Sequence, residues 1–208
     1  MGFLDEIFST VVDVVSRCLP SIARVGLKET ELIAVLKVVV KVISAVIEIM
    51  DGDVPPPEEL GDRALQMERR EGKTARDFDS YEEYVEELKR FTLDPEESEK
   101  LDDNVKKAMG VAVMVGWLGE KFSVDAENLL PLVAERPGYF DHERVPVMFE
   151  MMTDQDIRFK DIDDYIHDKL DIARTLKVED FLVSVDMEIE KGGKTEQEIR
   201  DRIQELQG

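Results

Sequence analysis

The sequence predicts an all-α protein. Three observations carry that prediction. Apolar residues recur at helical spacing along most of the chain. Helix-start signatures recur too: Ser80 with Glu83, Asp94 with Pro95, and Thr195 with Glu198. Finally, the one run that alternates as a strand would, Phe181 to Ile189, has no partner strand, and its residues Val178, Phe181, Leu182, Val185 and Ile189 fit a helix equally well. With 208 residues, 43% of them apolar and 36% charged, the chain is long and greasy enough for one or two folded domains and is not an acidic disordered tail.

The first expected helix runs from Phe3 to Leu19, where Phe3, Ile7, Phe8, Val11, Val15 and Leu19 share a face and Pro20 ends it. The second, Glu29 to Met50, is apolar over most of its circumference. Its polar groups Lys37, Lys41, Ser44 and Glu48 fall within roughly a 60° sector. Such a helix must be buried in protein or lipid. Lys37 and Lys41 sit mid-segment, and each would cost about 2.5–3.5 kcal/mol at a bilayer centre. The preferred reading is therefore a core helix with one solvated stripe, with membrane docking through residues 1–50 as the alternative.

Asp51 to Leu60, with Pro55, Pro56 and Pro57, reads as a stiff polar linker. Residues 61–77 read as a solvated helix or loose loop. Ser80 then starts a helix to Phe91, and Asp94-Pro95 starts one that continues to Lys121. In that last helix Ala108, Ala112, Gly116 and Gly119 fall on one side, where small residues admit a second backbone. Ser123 is expected to cap a helix to Glu135, stopped by Arg136-Pro137-Gly138. Further helices are expected near 142–152, 160–175 and 178–191, and a last one from Thr195 to Leu206 after the Gly192-Gly193 turn. The expected organisation is a hydrophobic helical hairpin (1–50), a proline-rich charged linker (51–77) and an acidic helical domain (78–208).

Charge is distributed as unevenly as grease. The chain holds 27 basic and 48 acidic residues, net −21. Residues 1–50 hold five basic and six acidic, so 22 basic and 42 acidic remain for the rest, net −20. Phosphate binding needs a basic face, so direct nucleic-acid binding is not expected. Cys18 is the one cysteine, which excludes a disulfide framework and fits a cytoplasmic setting. Asp5 and Glu6 stand where a secretory signal would be basic, and Glu6 departs from the myristoylation pattern.

Two constellations remain as candidate sites. His142, then His167-Asp168, then Asp186 resembles the metal-ligand pattern of the HD phosphohydrolase superfamily. That resemblance implies these four residues as ligands of a divalent metal in a metal-dependent hydrolase. The two histidines are only 25 positions apart and Pro146 interrupts the helix of the first. Calcium-loop, di-iron, P-loop and zincin patterns fail on spacing. The second constellation is acidic: Glu82, Glu83, Glu86 and Glu87, then Glu96, Glu97, Asp102 and Asp103. Solvation is one role for such a face, and docking a basic partner is the other. Bacterial immunity proteins, secretion chaperones and nucleic-acid mimics share this charge balance. The expected function is a non-enzymatic protein-interaction module without a cofactor. Phe3, Ile7, Phe8, Val11, Leu36, Val39, Ile43 and Val46 are expected to drive packing or self-association into a homo-oligomer.

Overall fold

The computed structural model describes residues 11–23, 25–49, 53–152 and 155–207. Among them are twelve α-helices and two 3-10 turns, with no strand. The 178–190 segment, which could alternate as a strand, lies wholly within a helix.

The expected first helix is seen as α1 (Val11–Cys18), and Pro20 opens a short α2 (Pro20–Ala23). Next comes α3 (Glu29–Ile49). It buries Leu32, Leu36, Val39, Val42, Ile43, Val46 and Ile47 and leaves Lys37, Lys41 and Glu48 exposed, as the narrow polar stripe requires. No helix among the described residues is long and apolar enough to cross a membrane.

The linker region differs from expectation. Residues 57–71 form a helix, α4 (Pro57–Glu71), which buries Leu60, Gly61, Asp62, Ala64, Leu65, Gln66 and Met67. Its signals stand in the sequence: a proline at the first helical position, Glu58 and Glu59 in the first turn, and Gly72 in the left-handed conformation just past the end. The triple proline reads as a linker only if its last member is not taken as a helix start.

Ser80 caps α5 (Tyr81–Arg90), its hydroxyl accepting the Glu83 N–H at 3.1 Å. The Glu83 carboxylate reaches one residue further back than a capping box would, to the Asp79 N–H at 3.1 Å. Arg63 on α4 closes the other end of α5, donating to the carbonyls of Leu88, Lys89 and Phe91 at 3.1, 3.0 and 2.5 Å. A guanidinium suits the negative end of a helix dipole and satisfies carbonyls that lack an intrahelical partner.

The long helix expected from Asp94 is two helices. Asp94 caps only the short α6 (Pro95–Ser98). Asp102 then caps α7 (Asp103–Phe122), accepting from the N–H groups of Asn104 and Val105 at 2.8 and 3.4 Å. Between them the chain buries Leu101. Ser123 also differs: it is the left-handed residue that ends α7, with φ of 53°, rather than the start of the next helix. Asp125 does the capping instead, and at a distance. Its two carboxylate oxygens accept the N–H groups of Phe159 and Lys160 at 2.9 and 2.8 Å, the first turn of a helix 34 residues on.

The remaining helices are α8 (Leu129–Glu135), α9 (Arg144–Met152), α10 (Phe159–Ile166), α11 (Ile172–Glu190) and α12 (Glu196–Gln204). The break between α10 and α11 falls at 167–171, because Asp171 accepts the Arg174 N–H at 2.8 Å and so starts α11 there. The Thr195/Glu198 capping box of α12 is fully formed.

The middle of the fold is α7. Helices α1, α3, α4 and α5 pack around it, α4 most extensively, while α9 to α12 form a second layer reached through α3 and α8. One contiguous apolar cluster runs from Val15 through Leu36, Ile43 and Trp117 to Phe181 and Ile203. The close backbone contact on α7 is at Gly110 rather than on the face of Ala108, Ala112, Gly116 and Gly119. Gly61 of α4 sits on the Lys106 carbonyl, Gly110 sits on the Pro57 carbonyl, and Gly116 faces the ring of Tyr81.

Tyr165 is fully buried, and its hydroxyl has no hydrogen-bond partner among the described residues. Burial pushes the phenol up to about 12. Tyr165→Phe removes an unpaired polar atom and keeps the ring. It is expected to leave stability unchanged or raise it by about 1 kcal/mol in urea unfolding. A loss of stability would show that the hydroxyl is satisfied after all.

Candidate functional site

Apart from Glu86 and Glu87, in the second half of α5, the acidic residues singled out in the sequence sit at three successive helix starts. This follows from the local code, since carboxylates suit the positive ends of helices. Several of them are engaged. Glu82 accepts the Trp117 indole N–H at 2.7 Å, and Lys121 lies 4.2 Å above that ring. Glu86 pairs with Lys89 at 2.7 Å and Arg90 at 3.9 Å, and Glu87 with Arg90 at 4.0 Å. Burial works against the charge on Lys89, but Glu86 and Asp53 outweigh it and hold its pKa above the ordinary value. Glu97 lies 3.8 Å from Arg69. Asp102 is the α7 cap, and Asp103 is 3.6 Å from Lys106.

The open part of this face is therefore narrower than the sequence implies. Glu82, Glu83, Glu96, Asp102 and Asp103 are exposed, whereas Glu86, Glu87 and Glu97 are half-buried. Glu96 and its neighbour Glu99 are exposed and have no ion-pair partner among the described residues. Glu99 belongs to the same dense acidic run as Glu96, Glu97, Asp102 and Asp103.

Beneath the face lies a polar cluster that sequence reasoning missed. Asp62 on α4 is 3% exposed and accepts from Gln66 Nε2 at 2.9 Å and from the Ser98 hydroxyl, with Lys106 at 3.7 Å. Gln66 in turn accepts the Asp94 N–H at 2.8 Å and donates to the Asp94 carbonyl at 3.2 Å. These bonds dock the α5–α6 connection onto α4, so the acidic face has a fixed backbone.

The HD-type ligand set is not assembled. Among the described residues no three His, Cys, Asp or Glu side chains form a group able to hold a metal ion. His142 is exposed. His167 ends α10, with Nδ1 2.8 Å from the Asp163 carbonyl and Nε2 3.4 Å from Glu135. Asp168 is exposed in the left-handed conformation. Asp186 is fully buried and both its oxygens are taken: Arg144 Nε donates to one at 2.8 Å and Arg202 to the other at 2.6 Å. Its burial serves charge pairing, which no spacing rule distinguishes from metal ligation.

The residues expected for self-association divide in two. Leu36, Val39, Ile43 and Val46 are at most 1% exposed inside the chain's own core, so they are closed to a second copy or to lipid while α3 stays packed. Phe3, Ile7 and Phe8 lie outside the described residues, as does the side chain of Val11.

A cleft of about 320 Å³ lies between the α1–α2 junction, Tyr81 and α7, with Cys18, Gly116 and Leu130 among its walls. Burial pushes both the Cys18 thiol and the Tyr81 phenol above their ordinary pKa values, so both keep their protons at neutral pH.

No family model, no characterised protein and no solved structure matches this chain.

Proposed function

We propose that this chain is a non-enzymatic protein-interaction module, of adaptor, inhibitor or chaperone-like type, that captures a basic partner through the carboxylates of the α5–α7 region in a reducing, cytoplasmic setting. One observation carries the reading. Residues 78–103 hold 11 acidic and 3 basic side chains, net −8, on a backbone pinned by the Asp62–Gln66–Ser98 cluster. A concentrated field of one sign steers an opposite charge and raises association rates, and Glu96 and Glu99 have no ion-pair partner among the described residues.

The test measures binding of a Lys/Arg-rich helical peptide to the full chain by calorimetry. Affinity is expected to fall at least about tenfold between about 50 and 500 mM salt. The Glu96→Lys/Glu99→Lys variant is expected to lose binding at low salt. A Glu188→Lys/Glu205→Lys variant, with the same net-charge change elsewhere, is expected to keep most of it. Salt-independent binding, or equal losses in both variants, would count against the α5–α7 face.

A further inference from the structure

Three of the small residues of α7 line an open space. Ala112, Gly116 and Gly119 are half-buried and belong to one wall of the cleft of about 320 Å³ beside the α1–α2 junction. The apolar lining also includes Leu19, Val115 and Leu130, all buried. The ring of Tyr81 lies against Gly116, so closely that a methyl group there would overlap it. The cleft therefore exists because α7 carries no large side chain on this wall. Its volume stands at the small end of ligand pockets, which run from about 300 to 1,000 Å³.

The field in the cleft is negative. Among the described residues that line it, Asp125 and Glu127 are acidic and none is basic. Asp125 is committed to the N–H groups that open α10, whereas Glu127 is exposed and makes no hydrogen bond or ion pair among the described residues. Just outside the lining, Glu120 accepts the Tyr81 N–H at 2.8 Å. Two basic groups act from outside it. Arg17, beside Cys18, is held by Glu68 at 2.7 Å, and Arg76 acts on Tyr81. The Tyr81 phenol registers the balance: burial pushes it up first, Glu120 outweighs Arg76, and Glu127 adds to the rise. The last turns of α7 also end here, and a helix C-terminus carries about half a negative charge.

We propose that this cleft binds a small organic cation, an ammonium group carried on an apolar body the size of a single aromatic ring. The apolar body displaces water from Leu19, Val115 and Leu130. The ammonium lies toward Glu127 and the Tyr81 ring, where carboxylate attraction and the ring quadrupole both favour a positive charge. The hydroxyl oxygens of Ser21 and Tyr81, both in the lining, can accept its N–H groups. A carboxylate or phosphate of the same size meets the same field as repulsion, so the site selects by the sign of the charge. Glu96 and Glu99 take no part, which makes this site independent of the basic-partner face.

The test titrates the full chain with phenethylammonium at constant ionic strength and follows the backbone amides by NMR. Saturable shifts are expected at Cys18, Leu19, Ser21, Tyr81, Gly116, Gly119 and Glu127, with a Kd of about 1 mM. Phenylacetate, the same ring with an anion, is expected to give none. The neutral 2-phenylethanol is expected to bind at least about threefold more weakly than the amine. Ala112→Leu fills the cleft and is expected to abolish binding. Glu127→Gln changes only an exposed side chain and is expected to weaken it about two- to fivefold. Glu96→Lys/Glu99→Lys is expected to bind the amine as the parent does. No saturable shifts at these residues, binding that survives Ala112→Leu, or an alcohol or phenylacetate that binds as tightly as the amine would each overturn the proposal. So would an unchanged affinity in Glu127→Gln, or loss of binding in the Glu96→Lys/Glu99→Lys variant.

Discussion

Gly61→Ala and Gly110→Ala are each expected to lower the stability of the fold by about 3 kcal/mol or more, among the largest single-site effects in the chain. The two glycines mark the crossing of α4 and α7. A methyl group on Gly61 would overlap the Lys106 carbonyl and the Gly110 nitrogen, and one on Gly110 would overlap the Pro57 carbonyl and Cα. Every obstacle is backbone, so no rotamer change relieves it. The helices must separate, and separation unpacks Leu60, Ala64 and Val105, all at most 1% exposed. Gly138 is the control. Nothing lies within 4 Å of where its methyl would go and its φ is ordinary, so Gly138→Ala is expected to be neutral or slightly stabilising. Urea unfolding of the three variants makes the comparison. A Gly61→Ala protein as stable as the parent would mean that α4 and α7 do not cross this closely.

Asp186→Asn is expected to cost about 3–5 kcal/mol, the usual penalty for breaking a buried ion pair from one side. Asp186 joins three helices. From α11 it receives Arg144 of α9 and Arg202 of α12, while Arg144 also pairs with Asp141 at 2.8 Å and Arg202 with Glu190 at 2.6 Å. The Arg144 guanidinium lies 4.9 Å from the centre of the Tyr139 ring, which covers the pair. Removing the aspartate charge leaves two guanidinium groups facing each other across a buried, uncharged amide. Replacing all three residues by apolar ones of similar volume is expected to recover most of the loss, because desolvation of the ions then disappears with the ions. Thermal and urea unfolding of the single and triple variants separates the two contributions. A cost below about 1 kcal/mol for Asp186→Asn would show that solvent reaches the network.

The same residue shows what a sequence can and cannot say about a site. Asp186 was reachable as a candidate metal ligand because it is a carboxylate downstream of His167-Asp168. Its partners Arg144 and Arg202 lie 42 and 16 positions away and carry no spacing signal toward it. The acidic residues of α5 to α7 were legible, being written as a dense local run. Their division into caps, locally paired groups and unpaired Glu96 and Glu99 was not, since Arg69 and Trp117 arrive from other helices.

What the sequence by itself determined is the all-helical class and several of the helix starts. Periodicity and capping act over one to four residues, so the polar stripe of α3, the cap at Ser80 and the box at Thr195 are all local facts. Only the tertiary structure decided which faces meet. It seated Gly61 of α4 on α7 and placed α3 inside the chain's own core. Those choices depend on backbone surfaces brought together from distant positions, where a missing Cβ or a matched pair of charges selects one packing over another. No stretch of chain short enough to be read alone contains both sides of such a contact.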